Sequence, residues 1–166
     1  MSDKPDISIR IAGPQDVDVI HQMIVALARD TGAEDKANST PANFLRFGFG
    51  DEPLFEALIA EKDGQSVGLC LYFYSFSTWL GEPGIYVQDL YVSKGERGSG
   101  LGRRLLRETA RRGQQRHAGH LRLSVDHQNV AASQFYKRVG MHHRDEENTF
   151  HIGGREFLDL VADSSG

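Results

Sequence analysis

The segment Arg97-Gly98-Ser99-Gly100-Leu101-Gly102 carries the plainest chemical instruction in the chain. It follows an apolar run, Ile85 to Val92, and opens a helix-patterned run, Leu101 to Arg112. A strand, a glycine-rich turn and a helix N-terminus in that order make an anion site. The N–H groups of the first helical turn lack intrahelical acceptors, and the helix dipole adds about half a positive charge there. Glycines let that backbone approach a phosphate with no side chain between. Arg97, Arg103 and Arg104 add formal charge.

Two classes of phosphate loop fail on this segment. A Walker loop ends in Gly-Lys-Ser/Thr, whereas Arg103 and Arg104 follow Gly102 here. A dinucleotide fingerprint spaces its glycines as G-x-G-x-x-G, whereas these fall at 98, 100 and 102. A third arrangement, Arg/Gln-x-x-Gly-x-Gly/Ala, is met in order and spacing by Arg97, Gly100 and Gly102. The histidines at 21, 117, 120, 127, 142, 143 and 151 form no H-E-x-x-H pattern, and His117-x-x-His120 has no cysteine cluster beside it. No metal site is expected.

The elements that must position this loop follow from periodicity. Ile7 to Ile11 alternates as a strand. Pro14 opens a helix to about Arg29, and Thr40-Pro41 caps and starts a shorter one through Phe47. Leu54–Glu61, Val67–Phe76 and Ile85–Val92 read as strands, with Asp63-Gly64 a hairpin turn. The helix after the loop buries Leu101, Leu105, Leu106 and Ala110 and turns Arg103, Arg104, Arg107, Arg111 and Arg112 outward. Leu121–Val125 reads as a strand, and Asn129–Val139 as a helix closed by Gly140. Phe150–Ile152 and Glu156–Val161, split by Gly153-Gly154, are expected to close the fold as a hairpin. The order β-α-α-β-β-β-α-β-α-β-β predicts an α/β (α+β) fold with a mixed, mostly antiparallel sheet and helices on both faces.

Length and composition bound the class. The chain has 166 residues, 39% of them hydrophobic and 25% charged, which predicts one domain, 1–166, with a real core. No apolar run approaches the roughly 18 residues of a membrane span. Met1 to Asp6 has no apolar signal core. The single cysteine, Cys70, lies in a strand-like run and reads as a buried, inert thiol, so a cytoplasmic setting is expected. Charge is uneven: residues 1–83 sum to −7 and residues 84–166 to +3, within a net charge of −4. A basic half for an anionic ligand and an acidic half for a cationic one fit that split. The arginine-rich helix face belongs to an acidic chain and is read as solvated or ligand-facing, with no nucleic-acid partner.

Beyond the loop, two stretches are distinctive. Asn129-Val130-Ala131-Ala132-Ser133-Gln134-Phe135-Tyr136-Lys137-Arg138-Val139-Gly140 is one, and Gly48 to Phe55 together with Trp79-Leu80-Gly81 is the other. With the loop and the element order, they resemble the GCN5-related N-acetyltransferase (GNAT) superfamily from about Ile9 to Leu160, and within it the diamine branch of spermidine/spermine and thialysine acetyltransferases. The resemblance implies acetyl-CoA as cosubstrate, with its pyrophosphate on the backbone of Gly98, Ser99, Gly100, Leu101, Gly102 and Arg103 beside Arg97. It places the pantetheine arm along Leu90, Tyr91 and Val92 and near Asn129 and Ala132, and makes Tyr136 the acid for the departing thiolate. Asn129 as a plain helix cap is an equal reading. A phenol, pKa about 10, and a thiol, about 8.5, are matched well enough for that proton transfer.

The acceptor is less determined. Where the diamine branch places carboxylates, this chain has Gln88 and Ser77. Neither residue is a base or pairs with an ammonium. Asp89 is acidic, but regular strand alternation turns it to the opposite face from Gln88. Trp79, Gln88, Asp89 and Asp30, the last with Glu34 and Asp35 at the end of the first helix, are the candidate acceptor contacts. The resemblance implies an enzyme acting on a small primary amine, and a homodimer. A module that binds acetyl-CoA without turnover and a peptide acetyltransferase are the alternatives.

Overall fold

The computed structural model describes residues 6–162. The absence of a signal core in the first six residues therefore concerns, Asp6 apart, positions outside the described residues. In chain order the elements are β1 (Ser8–Ile11), α1 (Val17–Asp30), α2 (Pro41–Phe49), β2 (Glu56–Lys62), β3 (Gln65–Ser77) and β4 (Glu82–Val92). Then come α3 (Leu101–Gln114), β5 (His120–Arg122), α4 (Val130–Val139) and α5 (Gly154–Ala162). The chain divides into two compact units, Met1–Asn129 and Val130–Gly166.

Local chemistry sets these bounds in the first unit. Pro14 heads a single 3-10 turn before α1, where the Gly13 N–H donates to the Asp16 carboxylate at 2.8 Å. The Thr40 hydroxyl accepts from the Asn43 N–H and the Thr40 N–H donates to the Asn43 side chain, a reciprocal cap with Pro41 at the first helical position. Asp63 and Gly64, both at positive φ, close the β2–β3 hairpin.

Five strands form one sheet in the order β1-β2-β3-β4-β5. Neighbours among β1 to β4 are antiparallel, and β5 runs parallel to β4. Alternation sorts side chains between two cores. Ala57 and Ile59 of β2 and Leu69 and Leu71 of β3 pack with Ile20 and Met23 of α1, and Phe44 and Phe49 of α2 close that layer. On the other face, a Cβ at Gly68 would meet Leu101 and Leu105 of α3, and the Thr109 hydroxyl of α3 donates to Cys70 Sγ at 3.2 Å. Leu101, Leu105 and Thr109 are fully buried. Each buried leucine is worth about 1.5–3 kcal/mol, so α3 is held by its apolar stripe. Arg103, Arg107 and Arg111 are exposed, but Ala110, expected inside, is exposed as well, and Arg104 and Arg112, expected outside, are half-buried, with Arg112 Nε donating to the Tyr72 hydroxyl at 3.1 Å. Arg10 of β1 ties the first layer together, bonding both Asp16 oxygens and Glu61 Oε1 at 2.8 Å.

The β3–β4 register slips between Leu71 and Tyr72. Leu71 lies opposite Asp89 and Tyr72 opposite Val87, so Gln88 is an extra residue, a β-bulge. The β4–β5 pairing is short, running from Gly84↔His120 to Tyr86↔Arg122. The strand expected at Leu121–Val125 therefore begins one residue earlier and ends at Arg122.

The second unit corrects one expectation. The closing hairpin is absent among the described residues: Phe150–Ile152 has no regular structure and Gly154–Ala162 is helix. Phe157, Leu158, Leu160 and Val161 have helical spacing, and Arg155 pairs with Asp159 one turn on, at 2.9 Å. The Gly153-Gly154 break that read as a hairpin turn is a helix start, with Gly154 at φ +58°.

Candidate active site

The glycine turn is built by backbone conformation. Gly98 and Gly100 sit at φ +78° and +86°, the left-handed region where a Cβ is strained, and space beside both is open. Gly100 is the N-cap of α3 and supplies no side-chain acceptor, so the first-turn N–H groups keep their capacity for an external anion. The turn is braced from below. Lys62 pairs with Glu96 at 2.6 Å, and the Ser99 hydroxyl donates to the Glu96 carbonyl at 2.6 Å.

The loop arginines divide their work. Arg97 Nε donates to the Val92 carbonyl at 2.9 Å, and Arg97 Nη2 donates to Asp30 Oδ2 at the end of α1. Lys94 lies 3.5 Å from the same carboxylate. The Arg97 hydrogen bond, foremost, holds Asp30 below the usual carboxylate range. Arg104 reaches the Ile7 carbonyl at 2.6 Å and anchors β1. Arg103 is exposed at the first turn of α3. Two residues expected in different roles, Arg97 for the cofactor and Asp30 for the acceptor, are thus one ion pair.

Leu90, Tyr91 and Val92 form the last turn of pleat before the loop, all half-buried. Since β5 pairs with β4 only as far as Tyr86, β4 from Val87 onward presents backbone N–H and C=O groups that β5 does not use. An extended chain with amide groups can pair there as a strand does.

The bulge governs Asp89. Ile85 lies against Gly113 of α3, and Val87 stands two residues on. Regular alternation would send Asp89 to that same face. With Gln88 inserted, Asp89 lies opposite Leu71 and Tyr91 opposite Leu69, both of the layer packed on α1. The alternation argument separating Gln88 from Asp89 does not survive the bulge. Gln88 is exposed; Asp89 is half-buried, and among the described residues no hydrogen bond or ion pair reaches its carboxylate. Removal from water pushes its pKa up to about 6.

Trp79 sits on the β3–β4 connection, 97% exposed. Ser77 ends β3 opposite Glu82, six residues along β3 from Leu71, the partner of Asp89. Asn129 immediately precedes α4, its N–H bonded to the Asp126 carbonyl at 2.8 Å. On α4, Ala132 and Tyr136 are half-buried, and the Tyr136 ring meets Phe135 edge to face with centroids 5.1 Å apart. Among the described residues, no group of three or more His, Cys, Asp or Glu is placed to hold a metal ion.

The bulge is what sequence reasoning missed, although it left a trace. The apolar residues Ile85 and Val87 are odd-numbered, Leu90 and Val92 even-numbered, and the phase changes across Gln88-Asp89.

Comparison with known proteins agrees with this geometry. The model of the Acetyltransferase (GNAT) family matches residues 21–141. The chain is 31% identical over 153 residues to a thialysine N-epsilon-acetyltransferase of Bos taurus, covering 87% of this chain and 89% of that protein. Among solved structures, an integron cassette protein from the mobile metagenome of V. cholerae superposes with a TM-score of 0.81 at 21% identity, over 95% of this chain and 98% of that one. An aminoglycoside acetyltransferase from an uncultured soil metagenomic sample gives 0.73 at 20% identity, over 90% and 99%. At those identities the two structures speak for the fold.

Proposed function

The chain belongs to the GNAT acetyltransferase family, and from that premise we propose that it transfers the acetyl group of acetyl-CoA to a primary amine of a small molecule by direct attack in a ternary complex. The observation that carries this reading is the turn at Gly98 and Gly100, whose positive φ values leave an uncapped helix N-terminus open beside a free strand edge. Those first-turn N–H groups suit the pyrophosphate, with Arg103 alongside. The edge at Leu90–Val92 suits the pantetheine amides, with Asn129 and Ala132 as further contacts by the family motif. A β4 N–H facing the thioester carbonyl stabilises the oxyanion as the amine nitrogen attacks.

Collapse of the tetrahedral adduct re-forms the carbonyl and breaks the C–S bond. Tyr136 donates its proton to the leaving thiolate and is reprotonated from the amide nitrogen or solvent. That role rests on its place in the Asn129–Gly140 motif. Neutral Gln88 and Ser77 favour a mono-ammonium acceptor over a polyamine. We further infer a homodimer in the cytoplasm; the exposed Phe76, Trp79 and Leu80 around the β3–β4 connection and the single buried thiol support those two readings.

The test is thiol release from acetyl-CoA against a panel of amines, with Tyr136→Phe beside the wild type. The expected result is turnover on mono-ammonium acceptors, and a loss of about 10²-fold or more in Tyr136→Phe with acetyl-CoA affinity unchanged. Cofactor binding with no turnover on any amine or peptide would establish the binding-module reading instead, which the neutral Gln88 favours.

A further inference from the structure

We propose that Asp30, the last residue of α1, is an internal rival of the cofactor's phosphates: it competes with them for Arg97 and Lys94 and thereby speeds the release of coenzyme A. The inference rests on the reading of the glycine turn as the coenzyme A site. It gives Asp30 a part on the cofactor side, in place of the acceptor contact expected of it.

The contact is the first support. Arg97 Nη2 donates to Asp30 Oδ2, and Lys94 Nζ lies 3.5 Å from Oδ1, so one carboxylate divides its two oxygens between two cations. Those cations lead directly into the turn at Gly98 and Gly100. The side chains of Lys94 and Arg97 are 77% and 47% exposed, against 18% for Asp30. An anion arriving from solvent therefore reaches the cations without displacing any packed side chain.

The position of Asp30 on its helix is the second support. The last turn of a helix carries the negative end of the dipole and favours cations, not carboxylates. At the end of α1, Thr31 takes up part of that load, its hydroxyl donating to the Leu27 and Ala28 carbonyls at 2.9 and 3.2 Å. Arg29, the one basic residue of that turn, is paired with Glu34 at 2.8 Å. The helix itself gains nothing from a carboxylate at position 30. What holds Asp30 ionised comes from the β4–α3 connection, the Arg97 hydrogen bond foremost, and it keeps the carboxyl below the usual carboxylate range.

The exchange needs little motion. Arg97 Nε donates to the Val92 carbonyl at 2.9 Å, and that bond keeps the guanidinium at the turn whichever anion the other end meets. A pyrophosphate brings more charge than one carboxylate and also meets the first-turn N–H groups of α3, so it takes the cations when it binds. Asp30 reclaims them as coenzyme A leaves. A rival that pairs internally divides the ligand's affinity by one plus the pairing constant. For a solvent-screened ion pair that constant is about 2 to 5, so the affinity is lowered about three- to sixfold. Changes of this kind fall mainly on the dissociation rate.

The test is calorimetric titration with coenzyme A and with inorganic pyrophosphate, and a displacement measurement of the coenzyme A dissociation rate. It is made on wild type, Asp30→Asn, Arg97→Gln and the double variant, with melting curves on each. Asp30→Asn is expected to bind both ligands about three- to sixfold more tightly at low salt and to release coenzyme A more slowly by a similar factor. In the Arg97→Gln background the same substitution gains less than twofold, because only Lys94 is left to contest. At saturating acetyl-CoA, kcat/KM for an accepted amine is unchanged, since release follows the transfer step. Unaltered or weaker binding of either ligand in Asp30→Asn, or a wild-type dissociation rate, overturns the proposal. So does a gain that is undiminished without Arg97, which is through-space repulsion and not competition. A fall in kcat/KM for the amine with cofactor binding unaltered returns Asp30 to the acceptor side. Coenzyme A binding with no turnover on any amine removes the transferase reading and leaves the competition standing, whereas no binding of coenzyme A to the wild type removes both.

Discussion

Replacing Gly100 by alanine separates backbone strain from ligand exclusion. Gly100 lies at φ +86°, and in the free protein a Cβ there meets nothing within 4 Å. The cost to stability is therefore conformational, about 1–2 kcal/mol for an L-residue in the left-handed region. In a domain of this length that lowers Tm by about 2–8 °C. The open space is also where a phosphate must approach the first-turn N–H groups, so coenzyme A affinity falls at least about tenfold in addition. Gly64 provides the matched control. It lies at φ +74° with equally open space, but on the β2–β3 hairpin. Gly64→Ala pays the same strain and leaves coenzyme A binding alone. Melting curves and calorimetric titration with coenzyme A on both variants decide the matter. Equal affinity in Gly100→Ala and wild type, or equal loss in both variants, refutes the phosphate-turn argument.

Three more outcomes follow from the geometry. Asp30→Asn removes the carboxylate that pairs with Arg97 and Lys94; stability changes by less than about 1 kcal/mol, while coenzyme A affinity rises a few-fold at low salt and the gain fades at high salt, read by titration at two ionic strengths. Asp16 is held below the usual carboxylate range, first by its hydrogen bond from Arg10; its contribution is present above the unfolded value of about 3.9 and lost as pH falls through its lower folded value, so Asp16→Asn costs about 2 kcal/mol in urea unfolding at pH 7 and much less at pH 2. Cys70, fully buried, reacts with an aromatic disulfide reagent only as fast as the protein opens, so its modification rate tracks the unfolding rate measured by fluorescence.

Local signals carried the first unit. Pro14, Thr40-Pro41 and Asp63-Gly64 each act through their own backbone geometry, and the elements they start or join form where those residues stand. The glycine turn was legible for the same reason. The tail was not. Glu156–Val161 alternates tolerably as a strand, but its apolar residues also lie on one helical stripe, and a short segment carries both patterns equally well. Tertiary pairing of side chains was also beyond periodicity. Nothing local announces that Asp30 and Arg97, 67 residues apart, form one ion pair.

The bulge in β4 shows why a carboxylate came to stand where it does. A regular β4 has two options. It can keep Leu90 and Val92 on the α3 face and expel Ile85 and Val87, or keep the latter pair and turn Asp89 toward Cys70 and Thr109. Ile85 and Val87 are 1% and 3% exposed. Expelling both forfeits about 3–6 kcal/mol at 1.5–3 kcal/mol each. Turning Asp89 inward buries a carboxylate without a partner, at several kcal/mol. One unpaired residue at a bulge costs about a single backbone hydrogen bond, roughly 1 kcal/mol. The bulge wins on either comparison, and it is set by the apolar residues on each side of Gln88. Asp89 is carried to the α1 face by that packing, not by its own charge. Asp89→Asn therefore leaves the strand and its register on β3 as they are.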